Sequence, residues 1–237
     1  MHIGEDEGSS AGRLRRSFGW ALGFVALLWA IRLVQSLLGL KLARYGVLPG
    51  DPAGLTGVLA APLIHGSVAH LFANTAPLLV LGTALLFGYP RAARLALPVI
   101  YLGGGLGVWL VARDAYHIGA SGLTFGMMFF VFTIGALRWD RRAIALSMTV
   151  FLLYGGMIWG IFPSAPNISF ESHFFGALMG VGCAIALRNR DRPAVERHYP
   201  WDGRDYEEIP EQEFKRVLDQ EFFGIPDDAE RPGDESR

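Results

Sequence analysis

The sequence is poor in the residues that build disulfides and in those that build a wetted surface. Cys183 is the only cysteine in 237 residues and lies inside an apolar run. No intrachain disulfide can form, and a metal site made of several thiolates is excluded. Charged side chains make up only 18% of the chain against 51% hydrophobic ones, and mean hydropathy is +0.32. That balance excludes an ordinary soluble domain of this size and implies a chain that crosses a membrane several times. Acidic residues are scarcest where the apolar runs lie: residues 1–187 hold 12 Lys+Arg and 7 Asp+Glu, while 188–237 hold 9 and 15. The body is net positive and the tail net negative and solvated, and no nucleic-acid partner is expected.

Six apolar runs are long enough to cross a bilayer, each near the ~20 residues that ~30 Å of hydrocarbon requires. They cover about 18–40, the stretch from the mid-60s to Phe87, 95–112, 118–137, 143–162 and 170–187. The first is too long for a signal-peptide core and no small-x-small cleavage site closes it, so it reads as a retained span. Arg32 interrupts it and is tolerable only if it snorkels to an interface, the preferred reading, or faces the bundle. The chain therefore divides into a cytoplasmic N-terminal segment, 1–17, a six-span domain, 18–187, and an acidic tail, 188–237. The tail is expected to be mostly disordered, with one short amphipathic helix possible from Glu211 to Phe223.

Lys and Arg flanking short loops stay on the cytoplasmic side. Eleven arginines at the N-terminus, after spans two and four and at the start of the tail face Lys41, Arg44 and Arg113 on the other side. Both termini are then cytoplasmic. Spans two, four and six begin near the outer face, and those beginnings carry His65, His70 and Asn74, then Ser121, then His173. Three segments bring polar groups to one depth, where such groups are expensive and point to function.

Each residue has a plainer explanation on its own. Ser121 between Gly119 and Gly122 could be a packing residue, and Gly122/Gly126 and Gly176/Gly180 could be close-packing seams beside an interfacial histidine. Taken together, those seams let two helices approach until a serine and a histidine reach hydrogen-bond distance. A hydroxyl becomes a useful nucleophile when an imidazole takes its proton. Glu171 is two positions from His173 and points to another face, and Asp114 sits at a span end, so the pair is expected to work without an acid. His70 and Asn74, four apart, share a helix face and can both donate to a developing oxyanion. His65 is expected to be structural, in the loop before span two. No carboxylate or thiol joins the histidines, so no metal and no cofactor is expected.

These motifs resemble the rhomboid family of intramembrane serine proteases, in a bacterial form. The match consists of His65-x4-His70-x3-Asn74 entering span two, Gly119-Ala120-Ser121-Gly122 with Phe125-Gly126 opening span four, and His173-x2-Gly176-x3-Gly180 opening span six. It covers about 18–187. The resemblance implies an all-α membrane protein with a six-helix rhomboid bundle, placed in the bacterial cytoplasmic membrane. It implies Ser121 as nucleophile, His173 as base and acid, and an oxyanion hole from His70, Asn74 and the Ser121 amide. Phe125 would pack on the histidine, with His65 and Gly119, Gly122, Gly126, Gly176 and Gly180 in support. Single-span membrane proteins in the lipid bilayer are the implied substrates. The connection after span one departs from the family in lacking the Trp-Arg signature of many members, and no folded cytoplasmic domain is expected before span one. The alternatives are an inactive relative that binds client transmembrane helices, although such relatives characteristically lack the serine or the histidine, and a six-span transporter, against which the missing charged midplane argues.

Overall fold

A computed structural model describes residues 10–163, 165, 168–192, 210–222 and 224. Six helices are long and apolar enough to cross a membrane: α1 (Ser10–Leu37), α3 (Val68–Gly88), α4 (Pro90–Val111), α5 (Ser121–Arg138), α6 (Arg141–Tyr154) extended by the 3-10 segment Gly155–Ile161, and α7 (Phe170–Leu187). Between α1 and α3 lies a connection of short 3-10 turns and the five-residue α2 (Thr56–Ala60). Among the described residues there is no β-strand, only one isolated antiparallel bridge between Val47 and His117.

The expected spans are present, and their ends shift for local reasons. The third helix begins at Pro90, five residues before its apolar run, because Pro suits the first helical turn and the Asp191 carboxylate accepts from the amides of Arg91 and Ala92. The fourth starts at Ser121, three residues after the apolar run begins. Gly119 has φ +112° and His117 pairs its backbone with Val47, which keeps 117–120 out of the helix. The fifth leaves α-geometry at Gly155 and finishes as 3-10. Arg13, Arg15 and Arg16 lie within α1, and Arg91 and Arg94 within α4.

Helix α5 is the centre of the bundle: Met127, Met128, Phe130, Val131 and Ile134 are fully enclosed against Leu71, Leu81 and Leu85 of α3 and Ile100 of α4. Large apolar side chains such as Leu110, Leu152, Leu153 and Leu178 stay exposed, as an apolar solvent for the outer surface allows. Helix α6 buries least, with only Ala143 and Val150 enclosed. Helices α5 and α7 meet along glycines. A Cβ on Gly176 would land on the carbonyl oxygen of Gly122, and one on Gly180 on that of Gly126. Trp29 of α1 donates to Thr75 of α3 at 3.1 Å.

Arg32, half-buried near the end of α1, faces the bundle, one of the two placements open to it, with one terminal guanidinium nitrogen 3.5 Å from the His65 carbonyl and its Nε buried. Residues 194–237 form a separate unit, of which α8 (Glu211–Phe222) is described. Residues 188–192, at the start of the tail, belong with the bundle, and the disorder expected of 193–209 and of the residues after Gly224 falls outside the described residues.

Candidate active site

A cavity of about 740 Å³ opens among the N-terminal ends of α3, α5 and α7, and Ser121, His173, His70 and Asn74 all line it. The three helix starts have different local causes. Ser67 caps α3, its hydroxyl accepting from the His70 amide at 3.0 Å, which puts His70 in the first turn and Asn74 one turn further on. Ser169 caps α7 by accepting from the Ser172 amide at 3.2 Å, which puts His173 in its first turn. Ser121 is the first residue of α5, where amide N–H groups lack helical partners. Three helix N-termini therefore direct their positive ends to one cavity.

Ser121 Oγ lies 2.9 Å from His173 Nε2. On the far side of the ring, Nδ1 is 2.9 Å from the carbonyl oxygen of Gly160. A carbonyl can only accept, so Nδ1 carries the hydrogen and Nε2 presents its lone pair to the serine hydroxyl. The Phe125 ring stacks on the imidazole, centroids 4.1 Å apart and planes 3° from parallel. Rotation of the histidine is thus blocked by a hydrogen bond and by a ring face. The role that a carboxylate fills in a triad falls to a backbone carbonyl. Glu171 does not reach the imidazole; it is buried and pairs with Arg113 at 3.4 Å.

Asn74 is buried, and its side-chain amide donates to the His70 carbonyl at 2.9 Å. That uses one of its two N–H bonds and fixes the amide on the cavity wall. Gly119 allows the neighbouring backbone to pass under His70: its φ of +112° suits glycine, and a Cβ there would sit 2.7 Å from the His70 ring. Pro77, inside α3, has no N–H to give the Ala73 carbonyl, and both residues line the cavity.

His65 is indeed in the loop, so helical spacing to His70 does not apply. Its ring stands edge-on to that of His70, centroids 5.0 Å apart, and its Nε2 faces the Ala120 amide at 3.4 Å. Burial, then the neighbouring His70, lowers the His65 pKa from 6.5 to about 4. The unfolded chain takes up this proton first as pH falls. The stability tied to neutral His65 is complete above about pH 6.5 and is lost progressively down to about pH 4, by at most about 3 kcal/mol. His65→Gln keeps an acceptor for the Ala120 amide and cannot titrate. Its melting temperature in detergent is expected to fall less than that of the wild type between about pH 7 and pH 4.5; equal falls would remove His65 as the acid-sensitive group.

Sequence reasoning missed Gly160, whose contribution is a carbonyl and has no residue signature. It also missed the role of His117, which is buried beside the cavity with its Nδ1 2.6 Å from Ser169 Oγ. A polar residue four before Ser121, facing another four before His173, was the available signal.

A Rhomboid domain model matches residues 52–190. An uncharacterised protein of Mycobacterium tuberculosis is 37% identical over 182 residues, 73% of this chain and 76% of its own length. One of Mycobacterium leprae is 31% identical over 196 residues, 75% and 76% of the two chains. RHOMBOID-like protein 2 of Arabidopsis thaliana is 25% identical over 151 residues, 62% of this chain and 44% of its own. With six membrane-length helices and a serine and a histidine in contact between the fourth and the sixth, the matched domain accounts for most of the bundle, and the chain belongs to the rhomboid family.

Proposed function

We propose that the chain is an intramembrane serine endopeptidase that hydrolyses peptide bonds in or near the transmembrane segments of single-span membrane proteins. The observation that carries this reading is the 2.9 Å contact from Ser121 Oγ to an imidazole whose tautomer is fixed for accepting a proton. His173 Nε2 takes the hydroxyl proton as Oγ attacks the scissile carbonyl carbon. The tetrahedral oxyanion is met by the Ser121 amide, by Asn74 and by His70. Collapse breaks the C–N bond, His173 gives its proton to the leaving amine, and an acyl-enzyme remains. A water from the cavity then gives a proton to His173 as it attacks the ester carbonyl carbon, and when the C–Oγ bond breaks His173 returns that proton to Ser121 Oγ, releasing the acid and restoring the serine. Neither metal nor cofactor enters these steps.

We read the chain as lying in a bacterial cytoplasmic membrane with both termini inside: the arginines of the short loops support that orientation, and the mycobacterial relatives support the bacterial membrane. The cavity then opens outward, and a substrate helix reaches it by unwinding near the outer boundary.

The test is cleavage of a single-span reporter with a small residue at that boundary by the purified full chain in detergent, together with the site of fluorophosphonate labelling. Cleavage with the label on Ser121 supports the reading. A folded protein that binds the reporter and neither cuts it nor takes the label would make it a client-binding member instead. Asn74→Ala is expected to lower turnover by about 10- to 1000-fold, bounded above by what one oxyanion donor is worth, with KM little changed; a change confined to KM would remove Asn74 from the oxyanion site.

A further inference from the structure

We propose that His117 is a positioning residue that clamps the loop delivering Ser121 to the residue that starts α7, and so sets the separation of Ser121 and His173. The purpose of that separation rests on the proteolytic reading; the clamp itself rests on geometry. The His117 backbone is pinned first, its N–H to the Val47 carbonyl at 2.9 Å and its carbonyl to the Val47 N–H at 3.0 Å. Its side chain then has one polarity. Nε2 is 3.1 Å from the Arg113 carbonyl, which can only accept, so Nε2 holds the hydrogen and Nδ1 accepts from Ser169 Oγ at 2.6 Å. Ser169 Oγ in turn accepts from the Ser172 amide at 3.2 Å and lies 2.7 Å from the Ser172 hydroxyl, which completes its bonding as donor.

The arrangement mirrors the pair it supports. His117 precedes Ser121 by four residues, and Ser169 precedes His173 by four. The same two segments are therefore joined by two histidine–serine contacts of opposite sense, one at 2.6 Å and one at 2.9 Å. Beyond the reacting pair, Gly122 and Gly126 of α5 meet Gly176 and Gly180 of α7 and fix the helices on that side. Before it, no helix holds 117–120, and the contacts of Gly119 and Ala120 run to Ala61 and His65, neither of which belongs to α7. Within 117–120, His117 hydrogen-bonds the start of α7 through its side chain, and four residues earlier Arg113 reaches the same turn through Glu171 at 3.4 Å. His117 brackets the pair from the side the glycines leave open, with Arg113 reinforcing it through its bond to the Ile168 carbonyl at 2.6 Å.

The experiment is a double-mutant cycle on the full chain in detergent with His117→Ala, Ser169→Ala and the double variant, read by reporter kcat and KM and by amide hydrogen exchange over 168–173. His117→Ala is expected to lose about 10- to 100-fold in kcat with KM unchanged, the cost of an ångström-scale misplacement. The double variant should lose no more than Ser169→Ala alone, because the shared contact can be lost only once. Exchange over 168–173 should quicken in His117→Ala. His117→Asn, whose Oδ1 can accept in place of Nδ1, should recover most of the turnover and the slow exchange. Additive losses, a loss in KM alone, or unchanged exchange would each overturn the clamp. If the wild type cuts nothing, the proteolytic reading fails separately, and the exchange measurement still decides the clamp.

Discussion

His173→Ala is expected to lower reporter turnover by about 1000-fold or more, while the protein is made, inserted and folded. The size follows from what the imidazole does. Without a base at 2.9 Å, the Ser121 hydroxyl must lose its proton to water in a cavity with no carboxylate among the described residues of its wall, and the leaving amine has no acid to protonate it. Both steps lose the same group, so the loss appears in kcat. Ser121→Ala should reach the same floor, and Ser121→Ala with His173→Ala should fall no lower, because two residues acting as one unit cannot be removed twice. The residual rate would reflect binding and the oxyanion donors. His173 also carries the Phe125 stack and the Gly160 hydrogen bond, so His173→Ala is compared with Ser121→Ala by melting temperature. A variant that melts like the wild type and cuts within about tenfold of it would show that His173 is not the base.

Much of this site was legible in the sequence because its parts are residue types with distinctive chemistry in unusual places. A serine and three histidines at the ends of apolar runs stand out, and the positions of their spans follow from length alone. The glycine seams were legible for a similar reason, since glycine at i and i+4 leaves a groove in one helix face. The parts that stayed hidden are backbone and geometry. Gly160 orients His173 with a carbonyl that any residue possesses, and it reaches the ring because the chain leaves α-geometry at Gly155 and tightens to 3-10. The start of α4 at Pro90 depends on Asp191, about a hundred residues away, and no local pattern announces such a cap. Arg32 was placed by the cost of a charge in lipid, whereas the His65 carbonyl beside it in the fold offers an acceptor. His117 was visible as a residue, but its partner Ser169 could be matched to it only after α5 and α7 were brought together.

The closeness of α5 and α7 gives the second large effect. Gly176→Ala is expected to disable the protein, and Gly182→Ala on the same helix to leave it intact. A Cβ on Gly176 would clash with the carbonyl oxygen of Gly122, and it would also meet the Gly122 carbonyl carbon at 2.8 Å and Cα at 3.1 Å. These are backbone atoms of a helix and cannot rotate aside as a side chain does. The methyl group is accommodated only if α7 moves away from α5 or turns about its axis. Gly176 is three residues from His173, and Gly122 is next to Ser121, so either movement lengthens the 2.9 Å contact at once. Overpacking of this kind costs about 1–3 kcal/mol of stability, and an ångström of misplacement costs about 100-fold in rate; Gly176→Ala should therefore show a lowered melting temperature and a larger loss in turnover than its stability explains. A Cβ on Gly182 meets nothing within 4 Å, so that variant separates the effect of the seam from the general effect of replacing glycine in a helix. If Gly176→Ala and Gly182→Ala melt and cut alike, the distance between α5 and α7 is not what holds Ser121 against His173.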